Sequence, residues 1–127
     1  MKKYLISIEK EDSSRLADFF SQSTFGNYKS EFKKVGVIGA QLPTAEYFKL
    51  AVAGRKKPLS PAELGCTLSH VNALKDFLAS NEKYACIFED DAICLNTFDL
   101  NTLETQVDQL NLNPCFFFSL GGIQLKS

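Results

Sequence analysis

The stretch Tyr84-Ala85-Cys86-Ile87-Phe88-Glu89-Asp90-Asp91 sets an unbroken apolar run directly against three carboxylates. Apolar residues without polar alternation suit a strand covered on both faces, the usual condition of strands in a parallel sheet. If the extended conformation continues past Phe88, Glu89 and Asp91 point to one side and Asp90 to the other. Two acids then converge on one object. Carboxylate oxygens so placed suit a hard divalent cation, Mg²⁺ or Mn²⁺, which can neutralise a diphosphate. Three adjacent like charges at a sheet end are costly unless something positive sits among them. The plainer alternative is that Asp90 or Asp91 caps a turn.

Upstream, Ser60-Pro61-Ala62-Glu63 spells a helix start: Ser60 as N-cap, Pro61 at the first helical position and Glu63 completing a capping box. Leu59 and Leu64 can form the hydrophobic staple, and Leu64, Leu68, Val71, Leu74 and Leu78 mark one stripe, predicting a helix over Ser60–Ser80. Further out, Tyr4–Ile8 and Val35–Ile38 are expected strands. Asp12-Ser13-Ser14 offers N-cap chemistry to a helix carrying Leu16, Phe19 and Phe20. Pro43-Thr44 can open a short helix through Ala53, closed by Gly54, although Tyr47–Val52 could equally be extended. Asp99–Leu112 has helical spacing, and Cys115–Leu120 is a further expected strand stopped by Gly121-Gly122.

Strands alternating with helices in this order argue for an α/β fold, a mostly parallel sheet with helices on its faces. In such sheets ligands bind outside the carboxyl ends of the strands, so chemistry is sought just after Ile8, Phe88 and Leu120. Other polar residues say less. His70 lies roughly 120° round the helix from the stripe at about 100° per residue, a flank where packing or hydrogen bonding is the common role. Arg15 can reach a phosphate from the first loop or lie along its helix. Arg55-Lys56-Lys57 reads as a solvated loop.

The whole chain of 127 residues fits one domain, residues 1–127, with a core large enough to need no staple. Its formal net charge of -1, with basic residues scattered, excludes a binder that lives on phosphate contacts to nucleic acid. The apolar run after Met1-Lys2-Lys3 stops at Glu9, short of the roughly 7–15 residues of a secretory h-region and the about 20 of a membrane span, so the chain is expected to be soluble and unexported. Four cysteines without a Cys-x-x-Cys pair, helped by one histidine, argue against a zinc cluster or a disulfide and for buried free thiols.

Two motifs together carry a resemblance. Leu59-Ser60-Pro61-Ala62-Glu63-Leu64-Gly65-Cys66-Thr67-Leu68-Ser69-His70, followed by Ile87-Phe88-Glu89-Asp90-Asp91, closely resembles glycosyltransferase family 25, which includes bacterial lipooligosaccharide β-galactosyltransferases. More loosely, Tyr4–Ile8 with Lys10 and Arg15 looks like the family's first strand and its basic follow-on. Ala51-Val52-Ala53-Gly54-Arg55 resembles its A-V-D-G-R segment with Ala53 in place of the acid.

The resemblance implies a GT-A type, Rossmann-like fold and transfer of a hexose, galactose by likeness, from a nucleotide diphosphate sugar to a lipooligosaccharide-type glycan acceptor, assisted by Mn²⁺ or Mg²⁺. Carried over by position, Asp91 is the metal ligand with Glu89, and Glu89 or Asp90 holds the ribose or a metal-bound water. Ser7 and Ile8 line the nucleotide, Arg15 stands near its phosphates, and Gly65, Ser69 and His70 sit beside the donor pocket. No catalytic base is assigned. The likeness spans nearly the whole chain yet corresponds to the donor-side half of a family member. It places the protein in the cytoplasm or peripherally at the inner membrane face.

Two other functions compete. A truncated, inactive relic or interaction module would keep the fold and self-associate through an open sheet edge. A receiver-type phosphorylation domain fits the size but fails on order, because its acid pair should follow the first strand.

Overall fold

The computed structural model describes residues 1–113 and 115–121. Strand β1 (Lys2–Ile6) leads through helices α1 (Ser14–Ser21) and α2 (Ser23–Gly26) to β2 (Phe32–Val35). Helix α3 (Thr44–Tyr47) runs into a π-helical turn at Phe48–Val52, followed by α4 (Pro61–Leu78), β3 (Ala85–Glu89) and α5 (Leu100–Gln109). The three strands form one open sheet in the order β2-β1-β3, with both pairings parallel. This is an α/β, Rossmann-like arrangement, with β1 central and helices on both faces.

The alternation of side chains along β1 builds two cores. Leu5 faces Leu16, Phe19 and Phe25, with Phe32 and Phe88 against them. Phe19 and Phe25 stack at 4.1 Å between ring centres, and Phe25 meets Phe88 edge-on at 4.8 Å. Each buried ring contributes roughly 1.5–3 kcal/mol of transfer free energy. On the other face Tyr4 and Ile6 pack against Ala73 of α4, and the Tyr4 hydroxyl donates to Asp76 Oδ2 at 2.6 Å.

Helix α4 begins as its sequence dictates. The Ser60 hydroxyl accepts from the Glu63 N–H and the Glu63 carboxylate from the Ser60 N–H, both at 3.1 Å. Its buried line, however, is Gly65, Ser69 and Ala73 together with Leu64, whereas Val71 and Leu78 are exposed. The expected leucine stripe is thus rotated. Small residues at four-residue spacing let the helix lie close to the sheet: a side chain at Gly65 would come within 2.5 Å of the Val37 carbonyl oxygen.

Strand limits also differ from the sequence reading. β1 starts two residues before Tyr4, because Lys2 and Lys3 pair through their backbones with Ala85 and Cys86, while the Lys3 ammonium reaches Glu31 at 3.0 Å. β2 ends at Val35, where the sequence suggested a start. Lys33 and Lys34 are tolerated on an edge strand, and beyond it Gly36 lies so near the Ser7 carbonyl that a side chain cannot fit. Thr44–Val52 takes the helical option, and Gly54, at φ +74°, supplies the left-handed turn that ends it.

The largest departure is Cys115–Leu120, which forms no strand and leaves Phe117 and Phe118 exposed. The outer edge of β3 stays unpaired among the described residues, so the apolar composition of this segment does not by itself make a strand. Gly122, half of the expected glycine stop, and residues 123–127 lie outside the described residues. The cysteines are free thiols, but only Cys86 is buried; Cys94 is half-buried and Cys66 and Cys115 are exposed. Burial pushes the Cys86 thiol pKa up to about 11.

Candidate donor site

At the carboxyl ends of β1 and β3 lies a cleft of about 600 Å³, with Ile8, Ile38 and Gly39 on one side and Cys66 and Ser69 of α4 on another. All three acids line it, each with its own partners. The chain turns immediately after β3, closed by the Ala92 N–H donating to the Glu89 carbonyl at 3.0 Å. The extended conformation that would have paired Glu89 with Asp91 therefore ends at Glu89, and the three carboxylates take different partners.

Asp90 points inward. Its Oδ2 accepts from the Ser7 hydroxyl at 2.5 Å and its Oδ1 from Arg15 Nε at 2.8 Å, while its N–H donates to the Ile6 carbonyl at 3.2 Å. Its side chain is 12% exposed, against 67% for Asp91. The positive group that an acidic triplet demands is thus Arg15, whose pKa is raised by the hydrogen bond and charge of Asp90. Arg15 Nη2 also stands 3.9 Å from Asp91.

Glu89 turns towards α4, where its Oε1 lies 3.1 Å from His70 Nε2 and 3.5 Å from Cys66 Sγ. Burial, and then the negative charge of Glu89, raise the pKa of the Cys66 thiol.

Ser7, Ile8, Arg15, Ser69, Glu89, Asp90 and Asp91 all border the cleft. Two residues expected beside it act differently. Gly65 is a packing residue under Val37 and Gly39, and His70 reaches the site through Glu89. Ser69, although it borders the cleft, spends its hydroxyl on structure, donating to the Gly65 carbonyl at 2.7 Å and accepting from the Val37 N–H at 2.8 Å. Cys66 was missed as a site residue, although its four-residue spacing from His70 places both on one helix face.

By chemical type, two carboxylates suit the hard divalent cation that the acidic motif implies, although Glu89 is turned to His70 of α4 and Asp91 stands beside Arg15. Asp91 and Glu89, the latter 50% exposed, can give two carboxylates, leaving other positions for water and phosphate, as Mg²⁺ prefers. Asp90 is already engaged by Ser7 and Arg15.

The cleft at the carboxyl edge of a parallel α/β sheet is the place where proteins of this architecture bind their ligands. The pattern of glycosyltransferase family 25 (LPS biosynthesis protein) matches residues 1–124, and the chain belongs to that family. No curated protein and no solved structure matches the chain. Among the described residues no helix is long and apolar enough to cross a membrane.

Proposed function

We propose that this chain transfers a hexose from a nucleotide diphosphate sugar to a lipooligosaccharide-type glycan, binding the donor in the cleft at the carboxyl ends of β1 and β3. The observation that carries the reading is the Ser7–Asp90–Arg15 constellation beside the open Asp91. Ser7 and Arg15 fix Asp90, and the Arg15 side chain borders the cleft. The remaining guanidinium N–H groups are free in geometry to donate to phosphate oxygens. Ile8, mostly exposed at the rim, gives an apolar surface to the nucleotide. Asp91 and Glu89 would hold Mn²⁺ or Mg²⁺, which when bound stabilises negative charge on the departing diphosphate. The acceptor hydroxyl must lose a proton as it attacks, and no side chain is assigned to take it.

The test is titration of UDP-sugars with and without Mn²⁺. Binding is expected to require the metal and to weaken at least about tenfold in Asp91→Ala. Metal-independent binding, or none, removes the reading. A second reading, a non-catalytic module that pairs with its own kind, is favoured by Ile93, Leu95 and Phe117 standing exposed. A monomer in sedimentation with measurable sugar transfer defeats it.

A further inference from the structure

We propose that Cys66, His70 and Glu89 form a three-ligand site for a thiophilic divalent cation of the Zn²⁺ class, its fourth position open to the cleft. One sulfur, one imidazole nitrogen and one carboxylate oxygen lie within 4.8 Å of one another. A tetrahedral zinc centre built from Zn–S near 2.3 Å and Zn–N and Zn–O near 2.0–2.1 Å has ligand-to-ligand edges of about 3.3–3.6 Å. The two separations made by Glu89 Oε1, 3.1 Å to nitrogen and 3.5 Å to sulfur, are already close to those edges.

The supports are rigid. Cys66 and His70 stand one turn apart within an 18-residue helix, and Glu89 is the last residue of β3. Ser69, between the two helix ligands, ties α4 to the Val37 backbone, so a cation would find the ligands in place. Cys66 and Glu89 both border the cleft, which leaves a coordination position for water or a ligand oxygen.

Sulfur and imidazole select Zn²⁺ or Co²⁺ over Mg²⁺ and Mn²⁺. This site therefore differs in chemistry from the oxygen-only cation assigned to Asp91, yet the two share Glu89. Occupancy by zinc withdraws Glu89 from the donor cation and so opposes donor binding. That consequence rests on the proposed function; the metal site itself does not. Binding releases the Cys66 thiol proton to solvent and involves no redox change.

The experiment is titration of the full chain with Co²⁺ in the absence of nucleotide. Thiolate-to-cobalt charge transfer and the visible bands of tetrahedral cobalt are recorded, followed by displacement with Zn²⁺. One equivalent is expected to bind. The thiolate band should vanish in Cys66→Ser, binding should weaken at least about tenfold in His70→Ala, the least that loss of even an outer-shell partner costs, and both should persist in Asp91→Asn and Cys115→Ser. As an independent readout, Zn²⁺ should protect Cys66 from alkylation by iodoacetamide. Absence of a thiolate band in the unaltered chain, its survival in Cys66→Ser, or alkylation indifferent to Zn²⁺ would overturn the site and leave Glu89 as a hydrogen-bond partner of His70 and Cys66 only. Failure of UDP-sugar binding alongside an intact cobalt spectrum would sink the donor reading instead.

Discussion

The segment up to Asp91 and the segment after it have similar apolar content but different fates. Before Asp91, apolar side chains find strands and helices to pack on: Phe25 is fully buried and Leu5 nearly so. After it, Leu100 alone of the large apolar side chains is fully buried among the described residues, whereas Leu95 is 92% exposed and Phe117 91% exposed. What joins the later segment to the rest is partly polar. The Gln22 side chain donates to the Ala92 carbonyl and accepts from the Cys94 N–H, at 2.9 and 2.8 Å, and Thr24 accepts from the Phe98 N–H at 3.3 Å. Hydrophobicity is thus a demand for cover, and whether it is met depends on which distant element packs against it.

Substitutions can break or sharpen this contrast. The largest effect is expected from Phe25→Ala, which empties the aromatic core and should cost about 3–5 kcal/mol in urea unfolding. Asp90→Asn should follow, losing about 1.5 kcal/mol from charged hydrogen bonds to Ser7 and Arg15 and abolishing metal-dependent UDP-sugar binding measured by calorimetry. Ser60→Ala removes half of the capping box and should lower stability by about 1 kcal/mol, seen as a shifted urea midpoint at constant slope. Leu95→Ala, in contrast, should stay within about 0.5 kcal/mol; a loss as large as that of Phe25→Ala would show that the later segment is covered after all.

A pH titration adds a smaller, signed test. Asp76 has its pKa lowered, first by the hydrogen bond from Lys33 and then by that from Tyr4. A carboxylate with a depressed folded pKa stabilises above its unfolded value, near 3.9, and that contribution is lost as pH falls through the folded one. Asp76→Asn should therefore lower stability at neutral pH and flatten the acid limb, the difference from the unaltered chain vanishing at low pH. An unchanged acid limb would mean that the Lys33 and Tyr4 contacts do not form in solution.

Much of the cleft is legible before folding. The Ser60–Glu63 cap, the strand ending at Glu89 and the acids that follow are local features, fixed by chemistry between near neighbours. The Leu59–His70 and Ile87–Asp91 motifs carry the family resemblance that the match over residues 1–124 bears out. Less legible were the roles. Gly65 and Ser69 belong to helix docking, and Cys66 joins His70 only because Glu89 arrives from another element. The same holds for Arg15, which the sequence could not direct either to a phosphate or along its own helix.

By itself, the sequence determined the alternation of strands and helices up to Glu89, the capped start of α4 and the family, because periodicity, capping and short motifs act over a few residues. Only the tertiary structure decided that Asp90 is the inward acid paired with Ser7 and Arg15, that small residues rather than leucines seat α4, and that Cys115–Leu120 forms no strand. Each of those outcomes depends on which distant backbone or side chain comes within hydrogen-bonding or packing distance, and no local pattern encodes that.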